Sequence, residues 1–425
     1  MEDAESQLKQ STQVNALFLS VFRFLFGILM IPQVLSITPS IHELEKSTFV
    51  FHYPYLHFIE AYSHELIYFL TVLSIIGAIL IALGVALRWG SLLFLLSFGY
   101  LFLIDMSFYN NHYYLWCLIS FLFIFLPSRS TISIFDVIKK RTDKTISVAY
   151  HTPFALLISI VYFYGGIAKI NADWLQGYPM RLLNIFNNSD YADFLGIFIS
   201  YAGLLFDLLI GFFLWKKPKA WYVIIPYFVF HISNYFLFNI GEFPIVMMAA
   251  ILIYIPISRF TISELKNVYQ STFSKVNRFI FTLFFSIQLV FPMRFLLMDG
   301  NVAWDREGHY FSWRMMLNNH TTIYFQYLIT IPDKNIKYWV DFSQLLTKRQ
   351  LSNTFHDPYF IWQLARKLEK DAVTKYTVSS DNVFVYCKSI VQLNQHNPKP
   401  LIDQTVDLTT IEYRFLSTNA FVSKF

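Results

Sequence analysis

The sequence predicts an all-α membrane protein: a bundle of about nine transmembrane helices followed by a small C-terminal extramembrane α/β domain. Three observations carry that prediction. Of 425 residues, 55% are hydrophobic and only 14% charged, against about 25% charged in soluble domains. Apolar runs near the ~20 residues that a spanning helix needs recur along the first 298 positions. Beyond Met298 the pattern changes to that of a folded water-soluble unit, which gives two domains, 1–298 and 299–425.

The nine expected spans are 14–36, 64–87, 90–108, 112–127, 151–170, 193–215, 219–237, 241–258 and 278–298. The third and fourth are parted by the polar patch from Tyr109 to His112, since together they are too long for one crossing. Charge then sets the orientation. With the N-terminus inside, the inner loops hold Arg88, the KKRTDK run from Lys139 to Lys144, Lys216, Lys217 and Lys219, and then Arg259, Lys266, Lys275 and Arg278. Early outer loops such as HELEKS are acidic or nearly neutral. This is the positive-inside pattern, and with nine spans it places the C-terminal domain outside. The first apolar run follows an acidic start, MEDAESQLKQ, without the basic region of a signal peptide, so it is expected to be retained as a helix.

In the C-terminal domain, TTIYFQYLITIPDKNIKYWVDFS alternates around a Pro-Asp-Lys-Asn turn and reads as a hairpin. PYFIWQLARKLEKDAV has helical spacing, and NVFVYCKSIVQL alternates again. The net charge is +5, and no basic run interleaved with aromatics suggests a nucleic-acid surface. Two cysteines, Cys117 and Cys387, cannot make a disulfide framework.

Projected through this topology, the unusual polar side chains collect near the outer leaflet. His112 opens the fourth span, Lys169 closes the fifth, and His231 and Asn234 lie in the last turns of the seventh. Arg294 ends the ninth, and Trp304, Arg306, Trp313 and Arg314 follow. Each has a plain reading. A lysine at a helix end is a snorkelling anchor, a lone histidine is hydrogen-bonded structure, Asn110, Asn111 and Asn234 cap or bridge helices, and Gly165-Gly166 permits close packing. Convergence of a lysine and two histidines from three segments at one depth favours a site instead. Metal binding is not expected, because no HxxxH or CxxC spacing occurs; no phosphate loop or GxSxG elbow occurs either. A lysine stripped of water favours its neutral amine and acts as a base toward a weakly acidic, lipid-soluble substrate.

Several stretches resemble the vitamin K-dependent gamma-glutamyl carboxylase family, whose membrane part is the horizontally transferred transmembrane domain. They are NNHYYL (Asn110 to Leu115), YFYGGIAKINADWLQGYPMR (Tyr162 to Arg181), FHISNYFLFNIGEFPIVMM (Phe230 to Met248) and QLVFPMRFLLMDGNVAWDREGHYFSWRMML (Gln288 to Leu317), with weaker matches in HDPYFIWQLARKL and LIDQTVDL. The resemblance implies an integral multi-pass protein of a bacterial cytoplasmic membrane that couples oxidation of reduced vitamin K (hydroquinone to epoxide, using dioxygen) to carboxylation of peptide glutamate with carbon dioxide. It implies Lys169 as the base, with Asn111 and His112 orienting the hydroquinone oxygen. His231, Asn234, Tyr164 and Phe243 are implied in the quinone pocket, and no metal. Trp304, Trp313 and Arg314 are candidates for substrate contact, or else for the joint between the two domains.

The sequence also departs from the family. Animal members carry two adjacent lysines at the base position, and here the first is Ala168. Glu242 stands where relatives carry an apolar residue, QLNQHNPKP stands where many bacterial relatives have SLNGRP, and the outer domain is much shorter than in animal members. Partners expected are the bilayer, a quinone and a glutamate-containing protein or peptide, with no nucleic acid. The alternatives are a quinone-epoxidising oxidoreductase without glutamate carboxylation, and a non-catalytic membrane binding or transport protein. A transporter is expected to show internal repeats and polar residues at the midplane, and the reading of the segments finds neither.

Overall fold

The computed structural model describes residues 11–59, 63–181, 191–238, 240–315, 318–342 and 345–425. Helix α1 (Leu17–His42) is apolar throughout and buries Arg23 near its start. The Arg23 guanidinium donates to the carbonyls of Ile81, Ala82 and Ile132, so one cation satisfies carbonyls at the end of α2 (His64–Leu83) and in a distant loop. Ser63 caps α2, and Gly84, at a φ of +67° that favours glycine, turns the chain into α3 (Leu87–Leu103). Helix α4 (Asn111–Phe123) begins where the Asn110 side chain accepts from the His112 amide at 2.8 Å.

Helices α5 (Thr152–Ala168) and α6 (Ala192–Lys216) pack side by side. Gly166 makes this possible, since a Cβ there would lie 2.7 Å from Leu208 Cδ2 and 2.9 Å from its backbone nitrogen. Helix α7 (Trp221–Phe238) comes next. The eighth apolar segment forms two short pieces, α8 (Phe243–Ala249) and α9 (Ile251–Ile257), before a 95° bend into α10 (Ile262–Thr272). Helix α11 (Lys275–Val290) runs on as a 3-10 stretch, Phe291–Leu297.

All nine expected segments are helical, but nine spans are not confirmed. Among the described residues six helices are long and apolar enough to cross a membrane, α1, α2, α5, α6, α7 and α11, or seven if the bent pair counts as one span. The reason is geometric. Helix α4 has 13 residues, roughly 20 Å at 1.5 Å per residue, against a hydrocarbon core of about 30 Å. Its apolar run reflects burial inside the bundle, where Leu115, Trp116, Ile119 and Phe123 are fully enclosed. Helix α3, at 17 residues, also falls short of the span length.

In the C-terminal domain β1 (His320–Ile331) turns through Pro332–Lys334 into β2 (Ile336–Trp339), and β3 (Phe384–Leu393) pairs with the other edge of β1. With β4 (Lys399–Pro400) the antiparallel order is β2-β1-β3-β4. Helix α12 (Pro358–Tyr376) lays Phe360, Leu364 and Leu368 into a core shared with Tyr327, Val385 and Cys387. The expected hairpin, helix and strand are therefore all present. Phe51, Tyr53 and Met106, from loops of the membrane part, belong to the same core. Asp105 fixes this joint by accepting from the Phe51 amide at 2.9 Å, the Ser107 amide at 2.7 Å and Gln350 Nε2 at 2.9 Å. Both cysteines are free.

Two predictions follow from this packing. Gly166→Val should press α5 off α6 and lower stability by about 1–3 kcal/mol, read as a fall in apparent Tm in detergent. Asp305 is buried at the junction, and burial, ahead of the nearby Glu307 and Asp357, raises its carboxyl from 3.8 to about 7. Its folded form therefore binds a proton more tightly than its unfolded form. The stability that this gives is full below about pH 4 and is lost as pH rises to about 7, by about 4 kcal/mol at most. Asp305→Asn keeps the oxygen that accepts from Glu307 and should flatten the pH profile of Tm across that window.

Candidate active site

Between α5, α6, α7 and α8 lies a cavity of about 610 Å³. Its walls are largely apolar and aromatic, and its charged and imidazole groups are Lys169, Asp207, His112 and His231. Lys169 follows the last residue of α5, where its amide bonds back to Gly166 O at 3.0 Å. The side chain then turns inward. Nζ donates to Gly165 O at 3.1 Å and to Asp207 Oδ2, on α6, at 2.5 Å. Both partners are buried, at 8% and 7% exposure, so a snorkelling role for Lys169 is ruled out. A Cβ on Gly165 would stand 3.2 Å from Asp207 Oδ2, so the absence of a side chain there leaves room for the pair.

The stretch after Lys169 forms one wall of the cavity through Trp174. Asn171 caps a short turn, Ala172–Leu175, and Trp174 from this turn donates Nε1 to Ser200 O at 2.7 Å. Lys169 Nζ sits 5.2 Å from the Trp174 ring, a cation–π distance. Asp173, on the outer side of the same turn, is held by Asn394 Nδ2 at 2.5 Å and His396 Nε2 at 2.8 Å, both from QLNQHNPKP. That departure from the bacterial pattern thus forms a contact between the outer domain and the cavity wall.

The other expected residues divide into two groups. His112 lines the cavity with its ring stacked on Phe243, centroids 4.0 Å apart at 12°. His231 lines it too, with Nε2 2.7 Å from Tyr162 Oη, while its buried Nδ1 makes no hydrogen bond among the described residues. Asn234 also lines it. Asn111 does not line it: its side chain accepts from Tyr109 Oη at 2.7 Å and donates to Arg314 O at 3.0 Å. Tyr164 donates to Leu289 O on α11, away from the cavity. Trp304 donates to Ser423 O at 2.8 Å, and Trp313 stacks on Tyr114 at 5.2 Å. Arg314 lies over the Phe295 ring at 4.3 Å, and burial draws its guanidinium down to about 10. None of these three side chains lines the cavity: Trp304 packs within the C-terminal domain, while Trp313 and Arg314 meet residues of the membrane part.

Asp207 is the residue that sequence reasoning missed. Its signal was a lone carboxylate inside the apolar run YAGLLFDLLIGFFLW, where an ionisable group by default marks a site. Tyr162, which holds His231, was likewise hidden among the many aromatics of α5.

The model of the HTTM domain matches residues 12–258, more than half of the chain. That of the vitamin K-dependent gamma-carboxylase lumenal domain matches residues 273–425. The chain belongs to the vitamin K-dependent gamma-carboxylase family. All of the cavity lining except Met315 falls within the HTTM part, whereas α11 and the whole C-terminal domain fall within the lumenal part, so α11 is grouped with the C-terminal domain. No solved structure matches the chain.

In this carboxylase-family chain, His396→Ala should leave the bundle folded and loosen the wall over the cavity. Faster amide hydrogen exchange in residues 172–176, with unchanged exchange in α5, is the expected result.

Proposed function

We propose that the chain is a gamma-carboxylase-like enzyme that oxidises a reduced vitamin K-type quinone and couples this to carboxylation of a glutamate side chain, with Lys169 as the base. The observation that carries this reading is the Lys169 amine held against Asp207 on the wall of an apolar cavity. A volume of about 610 Å³ lies within the roughly 300–1,000 Å³ of ligand pockets. The aromatic lining suits a flat bicyclic ring with an apolar tail. His231 Nδ1, buried and without a hydrogen bond among the described residues, offers a polar contact for a ring oxygen.

When bound, the reduced quinone supplies the reducing equivalents for dioxygen, and its oxidation drives proton removal from glutamate. The chain's own groups bind, orient and move protons. Lys169 takes the hydroxyl proton, and Asp207 accepts a hydrogen bond from the ammonium that results. Asp207 is thus a positioning residue that keeps the amine aimed into the cavity. His112, fixed flat against Phe243, and His231, fixed by Tyr162, orient the ring oxygens. Trp174 and the apolar walls exclude water, which strengthens these interactions and protects reactive species. In this reading the C-terminal domain and the Trp174 end of the cavity face the extracytoplasmic side of a bacterial cytoplasmic membrane, an orientation that the basic loops support.

The test is the purified chain with vitamin K hydroquinone, oxygen, labelled bicarbonate and a glutamyl peptide. Epoxide and fixed label should appear together. Epoxide without label would support quinone oxidation alone, and neither product would support a binding or transport protein. Lys169→Ala should slow epoxide formation by about 10²–10⁴-fold, with partial recovery on adding a small amine; intact epoxidation in that variant would remove Lys169 as base. Asp207→Asn should lower kcat with little change in KM, because Asp207 acts through Lys169.

A further inference from the structure

Outside the cavity, the described residues contain a second group of potential ligands on the loop that joins α1 to α2. His42 is the last residue of α1, Glu45 lies in the 3-10 turn that follows (Glu43–Lys46), and His64 is the first residue of α2. Separated by up to 22 positions, they have no recognisable spacing, and only the HELE stretch hints at them. The fold brings one ligand atom of each to within 4.8 Å of the others. Glu45 Oε1 is 2.6 Å from His64 Nδ1 and 3.9 Å from His42 Nδ1, and the two imidazole centroids are 4.3 Å apart. Tyr68, one turn into α2, packs on both rings at 4.4 and 4.5 Å and holds them together.

A hydrogen-bonded His–Glu pair would account for His64 and Glu45. It would not account for His42, whose two buried ring nitrogens make no hydrogen bond among the described residues. A buried imidazole lone pair without a donor is unfavourable, and a cation between the three groups removes that cost. We propose that His42, Glu45 and His64 bind a transition-metal dication of the zinc class, pinning the outer end of α1 to the start of α2. Two imidazoles and one carboxylate are the donor set of zinc and its neighbours rather than of magnesium or calcium, which take oxygen ligands. Bonds of about 2.0 Å place tetrahedral ligands roughly 3.3 Å apart. Side-chain rotation of Glu45 and His64, both exposed, closes that gap. Three protein ligands leave a fourth position for water. The site sits at the base of the loop that sends Phe51 and Tyr53 into the outer-domain core, so the metal would anchor that loop to the bundle.

The experiment uses the untagged full chain in detergent, stripped with chelator and dialysed against zinc chloride, with elemental analysis of the protein. One zinc per chain at micromolar zinc, a higher apparent Tm with zinc than without, and the visible absorption of tetrahedral cobalt on cobalt substitution are expected. Calcium and magnesium should give none of these effects. The double variant His42→Ala/His64→Ala should lose the zinc and its Tm shift while keeping its helical content. Where that variant fails to fold, Glu45→Gln, at an exposed position, should weaken zinc binding at least tenfold. No stoichiometric zinc on the wild type, or zinc retained undiminished by the variant measured, would overturn the proposal.

Discussion

Lys169 and Asp207 meet across the packed α5–α6 pair, and the geometry of the cavity depends on that meeting. An amino group and a carboxyl group buried singly among apolar side chains would each lose hydrogen bonds to water, a cost that the 2.5 Å contact between them offsets. The contact is available only because Gly165 and Gly166 leave the α5 surface bare where α6 crosses it. Glycine, lysine and aspartate therefore form one unit. The same close approach that packs the helices brings the amine off the membrane surface and into the cavity.

A second constraint holds the outer end. The turn after Lys169 carries Trp174 inward under the amine and Asp173 outward to Asn394 and His396. Asp105, accepting three hydrogen bonds, ties a membrane loop to Gln350 in the same outer domain. The C-terminal domain is tied to the same loops of the membrane part by Gln363, which accepts from the His52 amide at 2.9 Å, and by Arg349, which donates to Ser107 O at 3.0 Å. Trp304, Trp313 and Arg314 lie outside the cavity, where their partners are Ser423, Tyr114 and Phe295.

Much of this was legible in the residues. Lys169, His112, His231, Asn234 and Phe243 do line one cavity, because helix ends at a common depth are a one-dimensional property of the chain. Asn111 and Tyr164 do not line it, because which side of a helix faces the cavity depends on neighbours that hydropathy does not reveal. The span count failed for a related reason. An apolar run such as α4 satisfies a hydropathy window equally well whether lipid or other helices surround it.

By itself, then, the sequence determined that this is a helical membrane protein with a strand-and-helix outer domain, and that a lysine and two histidines lie at one level. Composition, period and charge are local quantities and are read directly. Only the tertiary structure decided that Lys169 is paired with Asp207, 38 positions away. It alone decided that His231 hangs from Tyr162, and that His42, Glu45 and His64 converge. Such pairings are set by how helices pack against one another, and no pattern along a single helix carries that information.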